Sequence, residues 1–140
     1  MGSIEEAREI FSKDLYATKL TGAVIDEIGE NYARCSLKLT DDHKNAYGGV
    51  MGGAIYTLAD FAFAVASNYE KDEATVSLVG TASFMSAPKG NTLFAEAELI
   101  KDGRRNSFYD VHVSDDTGRV VAVVNFTGAH VPWKNDKKNV

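Results

Sequence analysis

Residues 4–13 place Ile4, Ala7, Ile10 and Phe11 at helical spacing among Glu5, Glu6, Arg8 and Glu9, with Ser3 positioned as N-cap. This predicts a short amphipathic helix. The period then falls to two. Residues 23–28 and 32–39 read as strands around Gly29-Glu30-Asn31, and in the second Ala33, Cys35, Leu37 and Leu39 alternate with Arg34, Ser36 and Lys38. Such alternation predicts a half-buried hairpin. A stretch rich in Asp, Asn and Gly, residues 40–53, leads into residues 52–69, where Asp60 is the only charged side chain. A helix of that composition must be covered on most of its circumference. Beyond Lys71-Asp72-Glu73, strand signals occupy residues 75–86, 92–100, 106–114 and 119–130. The connections Pro88-Lys89-Gly90-Asn91, Lys101-Asp102-Gly103-Arg104 and Asp115-Asp116-Thr117-Gly118 all carry hairpin-turn residues. The order is helix, two strands, a long buried helix, then four successive antiparallel strands. No βαβα alternation exists to build a parallel sheet, so the class is α+β, with a long sheet wrapped around one apolar helix.

Composition narrows the function classes. A chain of 140 residues fits one domain, with residues 1–19 as N-terminal helix and lead-in and residues 133–140 as a polar, flexible tail. Hydrophobic residues at 44% and charged residues at 25% exclude a disordered or fibrous chain. The single cysteine, Cys35, falls on the apolar face of its strand and reads as core, which excludes a disulfide framework and a multi-cysteine zinc site. A net charge of −5 has the wrong sign for binding nucleic-acid phosphates. The N-terminus lacks a signal-peptide pattern, Glu6 stands where a myristoylation signal requires Ser or Thr, and glycines break the apolar run below the ~20 residues of a membrane span. These features predict a cytoplasmic protein with no membrane or nucleic-acid partner.

Two features carry chemistry. Asp60 is an isolated carboxylate within an apolar helix, where desolvation is costly unless it faces an interface or cavity. It is either a structural group bonded to a neighbouring strand or a catalytic carboxylate tuned by its surroundings. Gly52-Gly53 open the same helix, where the first backbone N–H groups lack acceptors and the dipole is positive. Such a terminus is a hinge or a device for polarising a carbonyl and holding an oxyanion.

The run His43-Lys44-Asn45-Ala46-Tyr47-Gly48-Gly49-Val50-Met51-Gly52-Gly53, followed by Leu58-Ala59-Asp60, resembles the H-x-N-x-x-G-x-x-H-G-G … (L/A)-x-D signature of the PaaI-like acyl-CoA thioesterases, which have the hotdog fold. The element order matches from about Leu20 to Pro132, and Phe84-Met85-Ser86-Ala87-Pro88 looks like the end of the family's first strand after the helix. The resemblance implies Asp60 as nucleophile or general base, the Gly52 amide as the group polarising the thioester carbonyl, and Asn45 as a group orienting water or substrate. It extends to His43 and Gly53 as substrate-binding positions and, more loosely, to Ser77 as a supporting hydroxyl. Met51 departs from the pattern: it stands where the family has His, and a thioether can neither donate a hydrogen bond nor carry charge.

Spacing adds an independent constraint. Gly52 and Asp60 are eight residues apart, ~12 Å along one helix, too far to share one carbonyl. A two-fold dimer with antiparallel helices would bring Gly52 and Asn45 of one chain near Asp60 of the other, and dimers could pair further into tetramers. A coenzyme A substrate needs cations for its phosphates, with Arg104, Arg105, Lys101 and Lys89 as candidates, while Tyr47, Tyr56, Phe61 and Phe63 are candidates for an acyl pocket. No cofactor beyond the coenzyme A of the substrate is expected. The competing readings are a non-catalytic acyl-CoA binding module, favoured by Met51, and a metal site from His43, His112 and His130 with Asp41 or Asp42, which lacks metal-ligand spacing.

Overall fold

The computed structural model of the protein describes residues 2–133. Helix α1 spans Ile4–Phe11, α2 Gly52–Asn68, and the strands are β1 Val24–Gly29, β2 Tyr32–Lys38, β3 Ala74–Phe84, β4 Thr92–Asp102, β5 Asn106–Asp115 and β6 Val120–Val131. The Ser3 side chain caps α1 by accepting from the Glu6 amide at 3.2 Å. The helix stops at Phe11 rather than residue 13. Asp14 caps a new turn by accepting from the Ala17 amide at 3.2 Å, and a π-helical segment runs Tyr16–Thr21 until Gly22, at φ 96°, ends it. Hydrophobic periodicity gave no sign of this second segment.

All six strands join one antiparallel sheet in the order β1-β2-β4-β5-β6-β3. The expected alternation in β2 holds, with Ala33, Cys35 and Leu37 buried. One expectation fails: Pro88-Lys89-Gly90-Asn91 is not a hairpin turn, because β3 pairs with β6 and β4 lies between β2 and β5. The physical reason lies in where that connection's donors go. The Lys89 and Gly90 amides donate to Asp115 Oδ2 at 2.8 and 2.9 Å, and the Asn91 amide to Asp116 Oδ1 at 3.0 Å, so the β5–β6 turn takes the bonds a facing strand would have taken.

Helix α2 lies against one face of the sheet. Small side chains permit the close approach: Ala59, Ala62 and Ala66 on the helix and Ala33, Ala95 and Ala97 on the sheet are all buried. Phe63 stacks on Phe126 of β6 with ring centroids 4.6 Å apart and meets the edge of Tyr109 at 5.4 Å. Burying a side chain of that size stabilises by about 1.5–3 kcal/mol. The helix residues left open or partly open are Gly52, Gly53, Ala54, Tyr56, Thr57, Asp60, Ala64 and Asn68. Of these, Gly52, Tyr56, Asp60, Ala64 and Asn68 recur at intervals of four and mark one uncovered stripe along α2.

The two sheet edges differ. β1 is short, carries a bulge between Ile25 and Glu27, and has its edge occupied by Arg8, whose Nε donates to the Ile25 carbonyl at 2.9 Å. β3 is eleven residues long, pairs on one side only, and exposes Val76, Leu78, Val79 and Phe84. Of the polar tail expected over residues 133–140, only Trp133 lies within the described residues, and its indole N–H donates to the Lys71 carbonyl at 3.1 Å. Among the described residues no helix is long and apolar enough to cross a membrane.

Candidate active site

The loop before α2 is a tight, internally bonded hairpin. Thr40 caps the short turn Asp41–His43 by accepting from the Asp42 amide at 3.2 Å. The buried His43 ring accepts from the Thr40 amide at Nδ1 (3.0 Å), so Nε2 carries the proton and donates to the Thr21 carbonyl at 2.7 Å. Both ring nitrogens are thus occupied in tying the loop to the π-helical segment. Asn45 Oδ1 accepts from the Tyr47 and Gly49 amides at 2.9 and 3.1 Å, while its backbone exchanges bonds with Gly49 and Gly48. Gly48 sits at φ 83°, a conformation an L side chain rarely adopts, and the bridge between Lys44 and Val50 closes the hairpin. The loop carries its register in these bonds, and the Met51 amide, donating to the His43 carbonyl at 2.8 Å, aims the chain into the helix.

Met51 occupies the N-cap position with extended backbone, φ −62° and ψ 130°, and its side chain makes no capping bond. The Gly52 and Gly53 amides consequently have no hydrogen-bond acceptor among the described residues, at the positive end of a 17-residue helix. Gly52 lies beside the ring of Phe84, which a Cβ at Gly52 would approach to 3.3 Å. Next to Gly53 a cleft of about 260 Å3 opens between Met51, Thr57 and His43 and the π-helical residues Tyr16 and Leu20.

Asp60 lies two turns further along the uncovered stripe. It is half-buried, and its carboxylate makes no hydrogen bond or ion pair within the described chain. Burial, and secondarily the charge of Asp14, raise its pKa above the ordinary carboxylate value. The neighbouring Tyr56 phenol is raised by burial and by the charge of Asp60 in turn. Asp14 is a member of this neighbourhood that sequence reading missed, although the pair Asp14 and Gly22 bracketing residues 15–21 is a recognisable cap-and-stop signal.

The other expected site residues divide sharply. Tyr47 is almost fully exposed at the hairpin tip, and Ser77 is exposed at a bulge in the open edge strand β3. Phe61 is 1% exposed, packs edge-on against Phe11 of α1 at 6.3 Å and reaches only the floor of a small recess of about 160 Å3 beside Arg8, Ser12 and Val24, while Phe63 is enclosed in the core. Tyr56 lies against Phe126 and over Gly80, where any Cβ would meet its hydroxyl. The cations separate as well. Lys89 lies before β4, while Lys101, Arg104 and Arg105 lie at its far end, ~33 Å away along the strand. One chain therefore cannot gather all four around one phosphate group. Arg104 borders a polar recess with Lys71 and with His130, which pairs with Asp102 at 2.8 Å. His43, His112 and His130 stand apart, and among the described residues no three His, Cys, Asp or Glu side chains are placed to hold a metal ion.

A long antiparallel sheet laid around one helix, with an uncapped glycine start and a carboxylate on the helix's open stripe, defines a hotdog-fold protein. The model of the Thioesterase superfamily matches residues 47–122. A putative esterase of Archaeoglobus fulgidus is 30% identical over 89% of this chain and 80% of its own length. The acyl-coenzyme A thioesterase PaaI of Escherichia coli is 27% identical over 85% of this chain and 84% of its own, and the E. coli PaaI structure superposes with TM-score 0.79 over 92% and 96%. A hypothetical thioesterase protein from Streptococcus pneumoniae, solved with coenzyme A, shares the fold at TM-score 0.79 and 20% identity, covering 87% of this chain and 97% of that one. The chain belongs to the thioesterase superfamily, as a PaaI-like thioester hydrolase.

Proposed function

We propose that the protein hydrolyses acyl-CoA thioesters to the free acid and coenzyme A, with Asp60 as nucleophile or general base and the Gly52 amide polarising the carbonyl. The observation that carries this reading is the pair of unsatisfied amides at the helix start on the same open face as an unpartnered carboxylate. Hydrogen-bond donors already aimed at a developing oxyanion need no reorganisation during reaction. As nucleophile, the Asp60 carboxylate attacks the carbonyl carbon, the C–S bond breaks with loss of the thiolate, and water hydrolyses the resulting anhydride. As base, it takes a proton from water as that water attacks, and the proton passes to the departing sulfur.

Both routes require a second chain. The ~12 Å between Gly52 and Asp60 separates donor from base within one protomer. The open edge of β3, with Val76, Leu78 and Val79 exposed, supports pairing with a second copy, because a long apolar edge strand is an adhesive surface unless covered. A two-fold axis beside β3 sets the two α2 helices antiparallel and produces two equivalent sites. Asn45 Nδ2 has no bond among the described residues and stands available to water or substrate, with Gly53 as a second amide donor and Met51 and Tyr47 at the rim. His43 acts through the loop it anchors. Arg104 and Arg105 remain candidates for the phosphates of coenzyme A, which arrive at a site made by two chains. A cytoplasmic location and the absence of any cofactor beyond the substrate's own coenzyme A complete the reading.

Release of free thiol across short-chain, long-chain and aryl acyl-CoA substrates tests this, with Asp60→Asn as control. Turnover that falls by about 10²-fold or more in the variant supports it. Binding of acyl-CoA without thiol release would instead identify a binding module, the reading Met51 favours.

A further inference from the structure

We propose that the large cavity between α1 and the β3–β6 end of the sheet receives the acyl group, so that the enzyme selects bulky, uncharged acyl chains of octanoyl size over acetyl and over carboxylated acyl groups. This rests on the acyl-CoA reading and names the class of acyl group within it. The cavity measures about 660 Å3 and is walled mainly by Ile10, Phe11, Tyr69, Val76 and Trp133. That volume lies within the about 300–1,000 Å3 typical of small-molecule pockets and exceeds what an acetyl group fills.

Its position follows from α2. Asp60, Ala64 and Asn68 stand at i, i+4 and i+8 on the uncovered stripe, and Asn68 borders the cavity, ~12 Å beyond Asp60. Between them Ala64 adds only a methyl group to the stripe that runs from Asp60 to the cavity edge. Asn68 makes no polar demand on that chain: its Oδ1 accepts from the Thr75 amide at 2.7 Å and its Nδ2 donates to the Ala64 carbonyl at 2.9 Å. Asp14 lines the cavity and is the charge that reaches Asp60, which places both in one neighbourhood. The rim also carries Glu70, while Lys71 turns its ammonium to Asn31 Oδ1. A carboxylated acyl terminus would meet two carboxylates there, and an apolar one meets aromatic and aliphatic walls.

The test compares kcat/KM for acetyl-, succinyl- and octanoyl-CoA in the wild type and in Ile10→Trp, which fills the cavity from an exposed position on α1. The expected result is a preference for octanoyl of ~10-fold or more over both others, and a fall of that ratio by ~10-fold in the variant. Equal rates for acetyl and octanoyl, or a ratio unmoved by Ile10→Trp or by the milder Ile10→Phe, would overturn the proposal. Trp133 is the only tryptophan in the chain and lies in the cavity wall, so titration of the wild type with octanoate should shift its fluorescence while acetate does not. Octanoate that leaves the emission unchanged at millimolar concentration overturns the proposal even without turnover data. Failure of every acyl-CoA to release thiol, with the octanoate shift present, would overturn the hydrolytic reading and leave the apolar pocket standing.

Discussion

Two aspartates show how surroundings assign a carboxylate its work. Asp115, in the turn between β5 and β6, is buried and saturated. It accepts from the Thr117 hydroxyl at 2.6 Å and from the amides of Thr117, Arg119, Lys89 and Gly90 at 2.8–3.0 Å. The Thr117 hydroxyl leads, with those amides, in holding its pKa well below the carboxylate range against the opposing effect of burial. Asp60, in the middle of α2, accepts nothing from the described chain and is pushed the other way by burial and by Asp14. The first carboxylate has spent its lone pairs on fixing the connection that carries the chain from β3 to β4. The second leaves them unused within the described chain. A buried charge with full bonding is a structural part, whereas a half-buried one without bonding has to be justified by chemistry.

The contrast breaks cleanly under substitution. The largest effect expected is on turnover in Asp60→Asn, which should fall by about 10²–10⁴-fold. Its thermal midpoint should hold or rise, since the ionised carboxylate is a cost the fold bears. A midpoint lower by many degrees would place Asp60 among the structural groups. Next is Gly52→Pro, in which proline at the first helical position removes one amide without opposing the helix, and the extended backbone of Met51 suits a residue before proline. Loss of one oxyanion donor should lower kcat by about 10²–10³-fold with KM little changed. Unchanged kcat would remove the Gly52 amide from the mechanism. Asp115→Asn reverses the pattern: the thermal midpoint falls while kcat/KM per folded enzyme stays within a few-fold of wild type. Loss of turnover at full stability would sink the assignment of Asp115 to structure.

The pH dependences have opposite signs. Asp115 has a folded pKa below its unfolded value of about 3.9, so the stability it contributes is complete above that pH and is lost as pH falls through the folded value. Asp60 has a raised folded pKa, so its ionisation costs stability that is recovered as pH falls through that pKa, while turnover, which needs the carboxylate, rises as pH climbs through it. A kcat/KM profile flat across the acidic range, or an acid limb unchanged in Asp60→Asn, would contradict this. The smallest effect is that of Met51→His, which returns a ring with a donor to the edge of the cleft beside Gly53. A change of a few-fold in kcat or a widened substrate range is expected, and identical kinetics over the acyl-CoA panel would show that the position has no role.

Much of this was legible in the chain. Strand alternation in β2 and the apolar run of α2 located the core, because burial on one face or all around writes itself into a period. The uncapped glycines and lone aspartate were visible for the same reason: each breaks the local pattern at a cost. What stayed hidden depends on partners remote in sequence. Pro88 to Asn91 look like a hairpin until the Asp115 and Asp116 carboxylates claim their amides. Phe61 looks available to a ligand until Phe11 covers it. Asp14, just ahead of the π-helical segment, reaches Asp60 only through the tertiary fold, which leaves no periodic trace in the sequence.

The central claim is that each site joins Asp60 of one chain to the Gly52 amide of another, and mixing two inactive variants tests it most directly. Asp60→Asn and Gly52→Pro chains, carrying different tags and refolded together, should form heterodimers in which one of the two sites has both intact groups. Random pairing then predicts recovery of about a quarter of wild-type activity. If verified heterodimers show no activity above that of the separate variants, the two groups act within one chain and the shared site is wrong.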